Sequence, residues 1–293
     1  MDRLDVTFGG RAAWLYRPAE PGLHGIVVMA HGLGLTRHAG LERYAARFCN
    51  DGVAVLLFDY RGFGDSDGRP RRVVDVGAQL ADWRAAVAHA RSLPWVDERR
   101  VAVWGSSFSG GDALRLAAED STLAAAVAQC PFTDGLASAL ALGAGGFLRL
   151  VPALTADLLR AVTRRAPELV AAAADPGTPA LMVAGNARAG YLSLTAPDGS
   201  APENLLAARS GLAVLGYRPG ASARRIKIPL LVHVCLDDAV APAPATRKHV
   251  ARVPGAEVIE VPAGHFDIYH GALYENTVER QAAFLRRILW RRP

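Results

Sequence analysis

Ser107 lies in a run of small residues, GSSFSGG at 105–111, that directly follows an apolar segment. A serine hydroxyl held on a sharp turn between a strand and a helix is exposed, and an adjacent base makes it a nucleophile. Gly105 leaves room for such a turn, whereas Ser109 occupies a position where glycine is more usual. The alternative interpretation is that Ser106, Ser107 and Ser109 are only turn and N-cap residues of the next helix.

A base and an acid follow Ser107 in the chain, in the order serine, acid, histidine. His265 comes after a strand-like segment and a glycine, where its imidazole can lie over the sheet edge at which open α/β folds build their sites. Asp237 and Asp238 follow the preceding strand-like segment, and either carboxylate could fix the histidine tautomer and stabilise the imidazolium. We rank Asp238 first, Asp237 second and Asp134 third.

The negative oxygen that forms during acyl transfer needs backbone N–H donors. One is expected at the residue after the nucleophile, which is Phe108, and one in the loop after the first parallel strand, HGLG at 31–34. The glycines of this loop allow an N–H group to turn toward the site. His31 is interpreted as a brace for the loop rather than as a catalytic group.

The elements around these residues alternate between buried strands and amphipathic helices, which predicts a doubly wound, mostly parallel α/β sheet. A hairpin is expected at residues 2–18. Strands are expected at 25–30, 53–58, 101–104, 124–129, 228–235 and 256–261, and helices at 42–50, 74–93, 108–118, 244–253 and 274–290. Residues 132–225 interrupt this alternation with helical patterns at 148–164 and 204–215. They predict a helical cap insertion between core segments 1–131 and 226–293.

Composition excludes several classes of protein. The 293 residues are 51% hydrophobic and 21% charged, which is typical of a globular chain, and the net charge of +5 comes from scattered arginines rather than from a basic tract. The three cysteines, Cys49, Cys130 and Cys235, form no metal or disulfide pattern. No apolar run could span a bilayer and no leader pattern opens the chain. We therefore expect a cytoplasmic protein with no nucleic-acid or membrane partner.

As a set, these motifs resemble the α/β-hydrolase superfamily, and in particular bacterial hydrolases of the dienelactone-hydrolase, serine-aminopeptidase and X-Pro-peptidase-like groups. The matching stretches are HGLG at 31, FDYRGFGDSDG at 58, VWGSSFSGG at 103, LDDAVAP at 236 and AGHFDIY at 263. The resemblance implies Ser107, Asp238 and His265 as a catalytic triad, and Leu33 and Phe108 as oxyanion donors. Family members act on esters, thioesters, amides and lactones, so the resemblance implies acyl hydrolysis without fixing the substrate.

We therefore predict an enzyme that hydrolyses a small ester-type acyl substrate and needs no metal or organic cofactor; it could form a homo-oligomer. A thioesterase, a peptidase, or a non-catalytic ligand-binding member of the fold are the alternatives. Apolar residues of the insertion could line an acyl pocket, or could simply bury its helices against each other. These residues are Leu140, Leu142, Phe147, Leu148, Leu150 and Leu154.

Overall fold

The computed structural model describes residues 2–142 and 144–290. Strands in this part of the chain are β1 Asp2–Phe8, β2 Arg11–Arg17, β3 His24–Ala30, β4 Ala54–Phe58, β5 Val96–Ser106, β6 Ala125–Gln129, β7 Leu169–Ala173, β8 Ala180–Met182, β9 Leu205–Ala207, β10 Leu230–Cys235 and β11 Glu257–Val261. The α-helices are α1 Glu42–Asn50, α2 Val76–Ser92, α3 Phe108–Glu119, α4 Gly135–Leu142, α5 Ala144–Val162, α6 Ala187–Leu192, α7 Ser210–Gly216, α8 Ala243–Val250 and α9 Gly271–Leu289. Short 3-10 turns lie at Pro219–Arg225 and Asp267–Tyr269.

Eight strands form one sheet in the order β1-β2-β4-β3-β5-β6-β10-β11. The predicted hairpin is confirmed, because β1 and β2 pair antiparallel with Phe8 opposite Arg11. Gly9 and Gly10 both have positive φ, at 52° and 77°, as a two-residue hairpin turn of this kind requires. The other six strands of this sheet, β4, β3, β5, β6, β10 and β11, pair parallel with their neighbours in that order. The predicted fold class is therefore confirmed.

The middle of the sheet is covered on both faces. Every residue of β3 and β4 is buried. Strands covered on both faces need apolar side chains at all positions rather than at alternate ones, which is why these segments appear in the sequence as continuous apolar runs. The sheet therefore forms a rigid core whose parallel strands all present their C-terminal ends at one edge.

The insertion contains more than the expected helices. Besides α4 to α7 it has a three-stranded sheet in the order β8-β7-β9. The prediction of a helix at 204–215 was wrong for its first part, because Leu205–Ala207 forms strand β9 and α7 begins only at Ser210. Two of these strands have only three residues, too few to show alternation, and β7 is rich in alanine, which has little preference for strands. The domain boundaries at 132 and 225 remain a prediction.

The apolar residues singled out in the insertion divide into two groups. Leu150 and Leu154 are buried, whereas Leu140 and Leu148 are 73% and 66% exposed. The side chains of Leu142 and Phe147 lie outside the described residues. In the described part of the chain, no helix is both long enough and apolar enough to cross a membrane.

Candidate active site

Ser107 occupies a strained turn between β5 and α3. Its φ is +58° and its ψ is −119°, a conformation that costs an L residue about 1–3 kcal/mol. Gly105 makes the turn possible, because a Cβ atom there would lie 2.0 Å from the carbonyl oxygen of Ser109. The strand and the helix therefore approach closely and leave the Ser107 hydroxyl at the C-terminal edge of the sheet.

The neighbouring serines have structural contacts. Ser109 is fully buried, and its Oγ accepts the Ser106 N–H at 2.9 Å and lies 2.8 Å from the carbonyl oxygen of Ala30. Ser106 Oγ is buried too and accepts a hydrogen bond from Gln129 Nε2 at 3.1 Å. Ser109 therefore fits the position where glycine is more usual, and its hydroxyl connects the turn to β3.

His265 lies against Ser107, although 158 positions separate them. Its Nε2 is 2.9 Å from Ser107 Oγ, and the imidazole is only 2% exposed. The loop after β11 carries it across the sheet edge. The two side chains therefore lie together at one edge of the sheet, although β6 and β10 lie between β5 and β11.

Of the three candidate acids, Asp238 is the one that contacts the histidine. Its Oδ2 lies 2.6 Å from His265 Nδ1, while its Oδ1 accepts the backbone N–H groups of Val240 and Ala241 at 2.8 and 2.6 Å. A carboxylate held in this way by backbone donors has a fixed orientation, and it selects the histidine tautomer with the proton on Nδ1. The free Nε2 then faces Ser107.

The other two acids lie elsewhere. Asp237 is exposed beside Asp238. Asp134 accepts a bond from Arg218 at 2.8 Å and caps the backbone of Leu136 at 3.0 Å. Both contacts are those of a turn residue in an ion pair, with no role beside His265.

The electrostatics of the pair favour a strong base. Burial alone lowers the pKa of the His265 imidazole, but the adjacent Asp238 carboxylate and the nearby Cys130 sulfur together outweigh burial and raise this pKa to about 9. A positive charge on the His265 imidazole is therefore stabilised by the neighbouring carboxylate.

The loop after β3 passes beside Ser107. A Cβ atom on Gly32 would lie 3.4 Å from Ser107 Cβ, and Gly34 has a positive φ of 70°. His31 braces the loop, because its Nδ1 lies 3.0 Å from the Gly32 carbonyl oxygen, which can only accept. Phe108 is the first residue of α3, so its N–H has no acceptor within the helix.

A cavity of about 40 Å³ adjoins Ser107. This is room for about three water molecules. Apart from Ser107 and Ser138 its walls are apolar, and most of them come from beyond β6. The lining residues are Leu33, Ser107, Phe108, Phe132, Ser138, Leu181, Met182, Val214 and Val240.

The sequence did not indicate the wall residues that the insertion contributes. Of the six apolar residues considered for the role, Leu140, Leu148, Leu150 and Leu154 do not line the cavity, and the side chains of Leu142 and Phe147 lie outside the described residues. Leu181 and Met182 belong to β8, a three-residue strand, which had no recognisable pattern. The one available signal was that an insertion at this place in the chain must cover the sheet edge.

A doubly wound sheet with a serine elbow after one strand, and a histidine and an acid after later strands, defines the α/β-hydrolase class. A family model described as the alpha/beta hydrolase family matches residues 27–277. The chain belongs to this family, as the resemblance implied.

Several relatives match over nearly the whole chain. The quorum-quenching protein AidA of Acinetobacter baumannii (strain MDR-ZJ06) is 44% identical over 98% of this chain and 95% of its own. A thiohydrolase of Eupenicillium brefeldianum is 26% identical over 93% of this chain and 89% of its own. Among solved structures, the alpha/beta hydrolase GrgF from Penicillium sp. sh18 has a TM-score of 0.82 and 25% identity, with 99% of each chain covered.

Proposed function

We propose that the chain is a serine hydrolase that cleaves a small ester-type acyl substrate through an acyl-enzyme intermediate. The observation that carries this proposal is the continuous contact from Ser107 Oγ to His265 Nε2 at 2.9 Å, and from His265 Nδ1 to Asp238 at 2.6 Å. A serine, a base and an orienting acid in this arrangement constitute an activated nucleophile.

In the proposed reaction, His265 Nε2 takes the hydroxyl proton while Ser107 Oγ bonds to the acyl carbon. The carbonyl oxygen becomes an oxyanion and accepts hydrogen bonds from the N–H groups of Leu33 and Phe108. Collapse of this intermediate breaks the bond to the leaving group, which receives the proton from His265. Water, activated by the same histidine, then releases the acid from Ser107.

Two observations support a small acyl substrate. The cavity beside Ser107 is apolar and of only about 40 Å³, so it suits an acyl group rather than a charged one. The quorum-quenching name of the AidA relative favours a small bacterial signalling molecule as the natural substrate. Thioester hydrolysis is a second candidate, because the thiohydrolase relative matches nearly the whole chain.

The decisive experiment measures p-nitrophenyl esters, acyl thioesters and acyl lactones with wild type and Ser107→Ala, alongside labelling by a fluorophosphonate. We expect Ser107→Ala to lower kcat by about 10⁶-fold and to abolish labelling, since removal of a triad nucleophile has this effect in serine hydrolases. The exposed Ser92 provides the control, because Ser92→Ala removes a hydroxyl far from the site.

Each outcome has a clear meaning. Hydrolysis that persists in purified Ser107→Ala contradicts the mechanism. A wild-type protein that neither labels nor hydrolyses any member of the panel is a ligand-binding relative of the fold. If the wild-type protein has a higher kcat/KM for thioesters than for the matching esters, it is a thioesterase that uses the same three side chains.

A further inference from the structure

A buried carboxylate in α3 has no part in the proposed reaction. Asp112 is fully buried, and its two oxygens accept from tyrosines: Tyr217 Oη lies 2.8 Å from Oδ1, and Tyr60 Oη lies 2.9 Å from Oδ2. Burial raises the pKa of Asp112 to about 6, and the tyrosine bonds oppose that rise. Burying a carboxylate in an apolar interior costs folding free energy unless hydrogen bonds compensate for the lost hydration.

One of these tyrosines supports the loop after β3. The Tyr60 ring packs edge-on against the ring of His31, with centroids 4.8 Å apart. His31 in turn bonds the carbonyl oxygen of Gly32, the residue before Leu33. Trp83 Nε1 donates to Tyr60 Oη at 2.9 Å, so the tyrosine is held from both sides.

The other tyrosine supports the start of α3. The Tyr217 ring packs against the ring of Phe108, with centroids 5.3 Å apart. Asp112 itself lies one helical turn after Phe108. A single carboxylate therefore connects two chain segments that are distant in sequence, and each segment carries one of the proposed oxyanion donors.

We propose that Asp112 is a positioning residue for the oxyanion hole. Through Tyr60 it fixes the segment that carries the Leu33 N–H, and through Tyr217 it fixes the Phe108 N–H. The inference rests on the proposed function, because it assigns those two N–H groups to the oxyanion. Small displacements of such donors are costly, since an error of about 1 Å in a catalytic geometry lowers rates by about 100-fold.

The test compares Asp112→Asn with wild type in kcat, in KM for p-nitrophenyl acetate, and in affinity for an alkylboronic acid. Boron adds to the serine oxygen and leaves one boron-bound oxygen in the oxyanion position, so its affinity reports the donors directly. We expect kcat and boronate affinity to fall together by about 10- to 100-fold, with KM changed less than about twofold. Rates are normalised to sites titrated with fluorophosphonate, which counts only folded enzyme.

Asp157→Asn is the matched control. Asp157 is also fully buried, but it holds Arg209 and the Glu168 N–H within the insertion. The Asp157→Asn substitution should lower thermal stability without changing boronate affinity per titrated site. Equal losses of affinity in both variants, or an unchanged kcat and affinity in Asp112→Asn, overturn the proposal.

A second pair of variants tests the route of the effect. Tyr217→Phe keeps the ring and removes its bond to Asp112. The amide in Asp112→Asn leaves one acceptor oxygen for the two tyrosines, so both changes weaken the same connection. The combined variant Asp112→Asn with Tyr217→Phe should therefore cost less than the product of the separate effects, whereas independent roles give the full product. The outcome is separable from the proposed function, since retained hydrolysis by Ser107→Ala would refute that function whatever Asp112 does.

Discussion

The eight-stranded sheet and the insertion between β6 and β10 fix their side chains in different ways. Ser107, Asp238 and His265 each follow a parallel strand of this sheet, and their positions depend on backbone turns and backbone hydrogen bonds. The insertion provides cavity walls such as Met182, whose side chain contributes apolar surface from the separate three-stranded sheet.

This difference predicts a division of labour. A tight backbone turn tolerates little change in geometry. Substitutions at the sheet edge should therefore lower kcat or the free energy of unfolding. Packed side chains can be exchanged at a modest cost when volume changes are small. Substitutions in the insertion should therefore act on which substrates are accepted.

Among the substitutions that test this difference between the two regions, Asp238→Asn at the sheet edge should have the largest effect. The amide cannot hold the same histidine tautomer, and we expect kcat to fall by about 10⁴-fold. His265 must be neutral to act as a base. Since Asp238 raises the pKa of His265, the rise of kcat/KM in wild type should lie at a higher pH than an ordinary histidine gives, and the variant should shift it to lower pH. Asp237→Asn, with its exposed side chain, should change neither quantity.

Gly105→Ala should damage the sheet edge next most severely. A Cβ atom at this position would meet the Ser109 carbonyl 2.0 Å away, in backbone that cannot move without breaking the elbow. We expect a loss in the free energy of unfolding of more than about 4 kcal/mol, measured by urea denaturation. A soluble, fully active Gly105→Ala protein would show that the turn is not as constrained as its geometry implies.

Met182→Ala should change selectivity rather than rate. It removes three heavy atoms from the cavity wall, so the ratio of kcat/KM for an octanoyl over a butyryl p-nitrophenyl ester should rise by about tenfold or more. Leu194→Ala is the matched control, because it removes as many atoms from a buried leucine of the insertion that lies on a different cleft. A shift of equal size in both variants would argue against this cavity as the acyl site.

The smallest effect is expected at Gly216, the last residue of α7. A Cβ atom there would meet nothing within 4 Å. Gly216→Ala should raise the free energy of unfolding by about 0.4–1 kcal/mol, because alanine restricts the unfolded chain more than glycine does. A loss of stability comparable to that of Gly105→Ala would remove the contrast between the two regions.

Sequence patterns predicted the sheet well because its rules are local. Strands buried on both faces, such as β3 and β4, need continuous apolar runs, and the elbow at Ser107 needs small neighbours. The order of Ser107, Asp238 and His265 followed from the order of the strands. Their contacts span 158 and 27 positions, so the fold class had to be inferred first.

The insertion and the proposed support for the oxyanion hole could not be predicted in the same way. Strands of three residues leave no periodicity, and the Asn204 side chain even replaces a strand contact by bonding Ala173 N–H and carbonyl at 2.8 and 2.7 Å. Asp112 meets Tyr60 and Tyr217 across 52 and 105 positions. Nothing in the residues near Asp112 distinguishes it from an ordinary helical acid.

Strands β6 and β10, at the two ends of the insertion, are direct neighbours in the sheet. Residues 130–229 thus form one very long crossover, whereas parallel strands need a connection of only about a dozen residues. Evolution could lengthen, shorten or exchange this connection without altering strand order, because the entropy of closing a loop grows only slowly with its length. One catalytic sheet could in this way acquire new substrates through a change in a single connecting segment.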